Sequence, residues 1–423
     1  MLAAAAQTLI SRPPAAADAT LRRRNPWIPA TSSRFSGRPF VVPSPLFGNP
    51  RLDSTILRAS SRGGSDQMHN NESFRPKEES IWSQKLLGFV RTNFLPLALV
   101  SGVSFGLMNP SLGCLAHKYG LSKFSTFGIF LISGLTLCSG QINAAVEAWP
   151  TGLYGLVSIL LLSPFFSKLI LQLHLAPQEF VTGLAIFCCM PTTLSSGVAL
   201  TQLLGGNSAL ALAVTVISNL LGILIVPFSL SKFIGEGAGV CIPAEKLLWS
   251  LIFSLLVPLI MGKVIRESSK DVAEYADRNR QILSMISAIF LSLVPWIQVS
   301  RSRSLLLMVK PAVFLVAVGI GVLLHLVLLA LNSLTIRSLS AAFGGRGAVF
   351  AKKENSRAVI LVASQKTLPV MVAVVEQLGG VLGEPGLLVL PCVATHINQI
   401  IIDSFLVNLW LRNDRMLNYS KEA

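Results

Sequence analysis

Ten stretches of roughly 20 apolar residues follow one another between residues 94 and 411, and they constrain this chain more than any motif in it. That length of helix crosses the hydrocarbon core of a bilayer. The expected spans are 94–116, 125–142, 151–173, 179–201, 207–231, 247–266, 281–299, 311–334, 357–381 and 386–411. Lipid offers no partner to a bare backbone amide, so the expected fold class is an all-α membrane protein of ten transmembrane helices. Composition agrees, because 52% hydrophobic residues, 13% charged residues and a mean hydropathy of +0.63 leave too little polar surface for a soluble chain of 423 residues. Loops are short except for "KVIRESSKDVAEYADRNRQ" and "RSLSAAFGGRGAVFAKKENSR", and no soluble catalytic domain is left over.

The formal net charge of +15 suggests nucleic acid until it is located. Nine arginines, no lysine and two acids lie in the segment that ends at Arg62, which alone carries +7 and is rich in Ser and Pro. That is the composition of an organelle-import leader, and its prolines point to a plastid. Residues 1–66 are therefore expected to be a plastid transit peptide, cleaved between Ala59 and Gln67, with a polar linker over 67–93. Of the other 26 Lys and Arg, 17 fall in the linker, the loops after even-numbered spans and the tail at 413–423, against 7 on the opposite face. By the positive-inside rule both termini face the stroma. The partner is the lipid bilayer and not nucleic acid. Helical spans favour the inner envelope, since outer membranes of bacterial descent favour barrels. The six cysteines show no CxxC spacing and no His pairing, and read as small core residues.

Ten spans divide into five and five, residues 94–245 and 246–412, and an odd number per half inverts the second relative to the first. Corresponding spans four and nine carry "GLAIFCCMPTTLSSGVALTQ" and "AVILVASQKTLPVMVAVV". Each has a proline in mid-membrane, Pro191 and Pro369, among small polar residues: Thr192, Thr193, Ser195, Ser196 and Gly197 in one, Gln365, Lys366 and Thr367 in the other. A matched pair of interrupted helices is the sequence pointer to a transporter whose ions and substrate bind at the midplane. The competing reading is helices that merely kink at proline and pack through hydroxyls.

Lys366 is the most costly of these residues, because a buried ammonium must be paired, face water or lose its proton. It is expected to bind a substrate anion, stand where a mobile cation would sit, or couple transport to H⁺. The alternative is that it snorkels to an interface or pairs with Asp403 or Glu376. In span ten, His396, Gln399 and Asp403 share one helical face and are expected to line the same cavity, with Asn398 beside them. His325 stands alone in an apolar helix and reads as a satisfied core residue. Glu147 and Trp149 suit a headgroup interface. "AAFGGRGAVF" lacks the GK[ST] of a phosphate loop.

The order of the spans, the stretch "MPTTLSSGVALTQLLGGNSALALAVTVISNLLGILIVP" and "FLISGLTLCSG" in span two resemble the bile acid:sodium symporter superfamily, in its SBF-like branch. With the leader, the chain is similar to the plastidial sodium/metabolite cotransporters of that group, over residues 94 to about 411. The resemblance implies two inverted five-helix repeats divided into core and panel domains. Discontinuous helices four and nine cross, and sodium and a small organic anion bind at the crossing. It places sodium-coordinating roles on Ser196, Thr215 and Gln365. Two positions depart from the pattern: Gly197 stands where many members carry Asn, and Leu361 where they carry an acid four residues before the glutamine. Losing that carboxylate weakens a sodium site.

Three function classes follow. The first, which we expect, is a secondary carrier of a small organic anion, coupled to sodium or H⁺ and needing no other cofactor. The second is a cation/proton exchanger without organic substrate. The third is a regulatory membrane protein or an intramembrane enzyme, and an enzyme is not expected because the spans hold no paired carboxylates, HExxH or Ser–His dyad.

Overall fold

Apolar runs of this length have one stable open-chain solution in lipid, and every regular element among the described residues is helical. The computed structural model describes residues 87–90, 93–137, 147–342 and 349–422. The 1–66 leader with its cleavage region, most of the 67–93 linker, Cys138 and most of the Gly-rich stretch at 341–350 lie outside the described residues.

Among the described residues, seven helices are long and apolar enough to cross a membrane, and one bent pair raises the count to eight. The bent pair is α1 (Phe94–Met108) and α2 (Pro110–Lys118), which meet at 102°. The expected span 94–116 is this bent pair. The chain turns because Pro110 has no N–H to continue α1, while the Asn109 side chain accepts from Ser111 N and caps α2. A shorter apolar helix follows, α3 (Leu121–Leu135), and then α4 (Trp149–Leu171). The chain continues through α5 (Gln178–Cys188), α6 (Ser196–Leu203) and α7 (Ser208–Ala238), then α8 (Ala244–Ser268). Next come α9 (Lys270–Arg278), α10 (Arg280–Arg301), the short α11 (Arg303–Met308) and α12 (Pro311–Ala342). The last three are α13 (Lys353–Ser364), α14 (Leu368–Leu378) and α15 (Pro385–Glu422). Two differences from the expected boundaries have local causes. The loop after range 247–266 contains α9, which Ser269 caps and the Glu274–Arg278 pair bridges one turn apart. The last helix runs on to Glu422, because no glycine or proline after Pro391 interrupts it.

Two sets of helices can be followed in the packing, joined where α10 lies against α15 and α7 against α8. In the first, α1, α3, α8 and α10 lie against one another; in the second, α4, α5, α7, α12, α13 and α15 do. Where α3 crosses α8, a Cβ on Gly134 would stand 2.1 Å from Leu259 O, and one on Gly262 would stand 2.1 Å from Leu131 O. The two backbones touch because neither residue has a side chain, the usual way membrane helices gain contact. Gly262→Val is therefore expected to cost about 1–3 kcal/mol by overpacking, read as a lowered thermal midpoint of the detergent-purified protein. An unchanged midpoint would show that this crossing gives way freely.

The second group is built around one span. In the 18-residue apolar stretch of Lys353–Leu378, 94% of the residues are buried within the protein, against 22% in that of α8. Such burial suits a helix enclosed by others, and it puts the polar residues between α13 and α14 at the centre of the molecule.

Candidate functional site

Two helices stop in mid-course, and their loose ends meet. After α5 the chain is non-helical over 189–195, where Pro191 offers no N–H; after α13 it is extended through Gln365 and Thr367. Pro369 then sits just inside the start of α14, where the missing N–H costs nothing. Unsatisfied backbone at both breaks is shared between them. Thr367 N donates to Pro191 O at 2.9 Å, and Thr192 Oγ1 donates to Val362 O at 2.5 Å.

Side chains complete the junction. Gln365 Oε1 accepts from Thr193 Oγ1 (2.5 Å) and Ser196 Oγ (3.0 Å), and its Nε2 donates to Asp403 Oδ2 on α15 (2.5 Å). The other carboxylate oxygen, Oδ1, lies 2.9 Å from His325 Nε2 on α12, whose Nδ1 lies 3.2 Å from Ser364 O. Because a carbonyl only accepts, the tautomer with its hydrogen on Nδ1 suits Ser364 O and the tautomer with its hydrogen on Nε2 suits Asp403. Gln365, His325 and Asp403 are fully buried. A neutral branch continues outward: Asn332 Nδ2 donates to Ser364 Oγ (2.9 Å) and its Oδ1 accepts from Tyr154 (2.8 Å) and Ser158 (2.6 Å) on α4.

Lys366 lies on the far side of the break with 0% exposure, so it does not snorkel to an interface. Nor does it pair with a carboxylate. Asp403 is held by His325 and Gln365, and Glu376 accepts from Ser122 at 2.8 Å. Its ammonium donates instead to two main-chain carbonyls, Met190 O (3.0 Å) and Ile159 O (3.3 Å).

Most of the residues singled out in the sequence gather here. His396 Nδ1 contacts Lys366 O (3.2 Å), Gln399 Oε1 accepts from Lys366 N (3.3 Å), and Asp403 reaches Gln365, so the shared helical face does converge on the break. Ser195 is exposed and Ser196 half-buried, so the cluster reaches the protein surface at this point. Two residues stand apart. Asn398 is half-buried and donates to Ala394 O in its own helix. Thr215 is buried on α7, and its hydroxyl has no hydrogen-bond partner among the described residues, so Ser196 and Gln365 contact each other without it. Leu361 packs with Leu204 and Val407 in an apolar cluster. A cavity of about 320 Å³ lies elsewhere, at the Lys353 end of α13, where Arg357 grips Asp414 through both oxygens at 2.5 and 2.9 Å.

The sequence matches the SBF-like CPA transporter family over residues 93–412. The chain belongs to that family. It is 66% identical over 365 residues to the probable sodium/metabolite cotransporter BASS4, chloroplastic, of Arabidopsis thaliana, covering 86% of this chain and 83% of that one. The BASS4 protein of Oryza sativa subsp. japonica is 65% identical over 336 residues, 79% of each chain. The sodium/bile acid cotransporter 7 of Rattus norvegicus is 28% identical over 217 residues, 50% of this chain and 62% of that one. The family and these relatives are transporters and not enzymes.

Within the family's frame, three residues outside the expected set hold the site together. His325, read as a lone core histidine, is the partner of Asp403; Asn332 and Asn219 fix the flanks, the latter donating to Thr192 O (2.9 Å) and Thr215 O (2.8 Å). A polar residue one or two turns from another in an apolar helix, as at 325 and 332, is the signal that marks them. Gly197 also gains a reason. A Cβ there would stand 3.0 Å from Gln365 Oε1, so glycine lets the amide lie against α6. Gly197→Asn is expected to push Gln365 off Thr193 and lower transport about tenfold or more, the loss of one hydrogen bond of about 1.4 kcal/mol. Full activity in that variant would show the contact to be dispensable.

Proposed function

We propose that this protein is a secondary active carrier of the plastid envelope that moves a small organic anion by alternating access. The observation that carries the reading is the meeting of two interrupted helices at a buried polar junction, 189–195 against 365–367. Irregular backbone at membrane depth is tolerated where it lines a binding site, and paired breaks are how many carriers build one. The ten-helix, inverted-repeat arrangement is part of the proposal. In it α1–α2 form one crossing, α5–α6 the fourth and α13–α14 the ninth, and the group with α3 and α8 serves as the panel against which the core moves. The transit peptide, an inner-envelope location, stromal termini, and a driving gradient of sodium or H⁺ belong to the same proposal. It is supported by relatives named as chloroplastic sodium/metabolite cotransporters.

A second reading, a cation/proton exchanger without organic substrate, is favoured by the His325–Asp403 pair, two ionisable side chains in direct contact and fully buried. Both are tested with the chain from about Gly63 onward in liposomes preloaded with plastid carboxylates. Labelled carboxylate entering against unlabelled carboxylate inside is the expected result. Cation flux that proceeds unchanged in carboxylate-free liposomes, with no carboxylate exchange, would replace the first reading by the second.

A further inference from the structure

Two irregularities in the chain leave carbonyls without partners, and both carbonyls face the same ammonium. In α4 the segment Ser158–Leu162 is π-helical, and Ser163 N reaches back five residues to Ser158 O. The next amide in that register would serve Ile159 O, but residue 164 is proline and has none. Met190 lies just past the end of α5, where the last carbonyls of a helix are unsatisfied and carry its partial negative charge. Oxygens of this kind, buried and aimed together, are what coordinates a small cation in a broken-helix carrier. Here Lys366 Nζ lies 3.0 and 3.3 Å from them.

The carboxylate of the junction is equally engaged. Leu361 cannot serve a cation, and Asp403, which α15 brings beside Gln365, is bonded by the His325 ring and the Gln365 amide. Both electronegative places at the crossing are thus filled by groups tethered to the chain. Among the described residues, Thr215 Oγ1 and Asn219 Oδ1 near the 189–195 break have no hydrogen-bond partner, a carboxylate included.

We propose that Lys366 is a built-in cation, its ammonium occupying the carbonyl seat that a coupling ion would otherwise fill, so that this carrier works without sodium. The fixed positive charge beside the breaks then favours an anionic substrate at every turn of the cycle. The proposal names the coupling of the carrier described above and rests on that reading for its transport arm only.

Two measurements test it. The first is the thermal midpoint of the purified protein in sodium, potassium or N-methylglucamine chloride. The wild type is expected to be indifferent to the cation. Lys366→Ala, which empties the seat, is expected to be less stable and to regain about 2–4 °C with ethylammonium or sodium. Lys366→Met, which fills the space without charge, is expected to gain nothing from either. A wild-type midpoint raised by sodium overturns the proposal, as does a Lys366→Ala protein that no small cation stabilises. Should that variant not fold, Pro164→Ala supplies an amide to compete for Ile159 O and is expected to lower the midpoint in every salt. The second is carboxylate exchange in liposomes, expected to run at the same rate with sodium replaced by N-methylglucamine. Exchange that stops without sodium overturns the built-in cation and leaves the carrier reading standing, whereas no exchange of any carboxylate removes the carrier reading while the thermal arm still decides the seat.

Discussion

His325→Leu is expected to destabilise the protein by about 3–5 kcal/mol, a fall of roughly 10 °C or more in thermal midpoint. The ring lies between Ser364 O and Asp403 Oδ1 with nothing exposed, and it ties α12 to the break and to α15 at once. Leucine leaves a buried carboxylate with one donor, the Gln365 amide, and an orphaned carbonyl. The size of the effect comes from the unpaired charge and not from the bond count. Neutral hydrogen bonds between membrane helices are worth about 0.6 kcal/mol on average, so Tyr154→Phe, which removes one donor to Asn332, is expected to be nearly silent. Converting Asp403 to leucine in the His325→Leu background should return part of the loss, since removing both partners of a buried pair costs less than removing one. A single variant as stable as wild type, or a double variant no better than the single, would sink this account.

Gln365→Leu is expected to abolish transport, by at least about 100-fold, or about 2.7 kcal/mol. One amide joins three parts of the chain: it accepts from Thr193 and Ser196 in and after the 189–195 break, and donates to Asp403 on α15. Leucine has nearly the same volume and none of these bonds, so the packing survives while Thr193, Ser196 and Asp403 each lose a hydrogen bond, the buried Thr193 and Asp403 at about 1–3 kcal/mol each. Gln365→Asn is expected to fail as well, because a side chain shorter by one methylene cannot span both directions. The check is the initial rate of carboxylate exchange, normalised to folded protein in the liposomes. A leucine variant that exchanges at the wild-type rate would mean that the junction is scaffolding and the substrate passes elsewhere.

Much of this was written in the order of residues along the chain. Apolar run length fixed where helices form, because lipid leaves the backbone no alternative. A proline stands at each break, Pro191 and Pro369, yet Pro227, Pro295 and Pro391 sit inside unbroken helices, so proline marks where a helix can stop and packing decides whether it does. The 3.6-residue period put His396, Gln399 and Asp403 on one face, and all three do reach the Gln365–Lys366 break. Asn398, one residue before Gln399 and expected beside that face, turns to its own helix, since one residue along a helix is about 100° around it.

The tertiary structure alone decided who meets whom. A helical period sets which residues share a face but says nothing of which neighbour that face will meet, and the decisive pairs are far apart in sequence. His325 and Asp403 are 78 residues apart, Lys366 and Ile159 are 207, and Gln365 and Thr193 are 172. The carboxylate absent at Leu361 is supplied beside Gln365 from another helix, and the lysine that looked in need of a carboxylate is satisfied by carbonyls that a π-helical turn, a proline and a helix end left open. Backbone partners of that kind leave no mark in the side-chain alphabet, so the sequence showed where polar groups lie in the membrane and only the packing of the helices showed what each one holds.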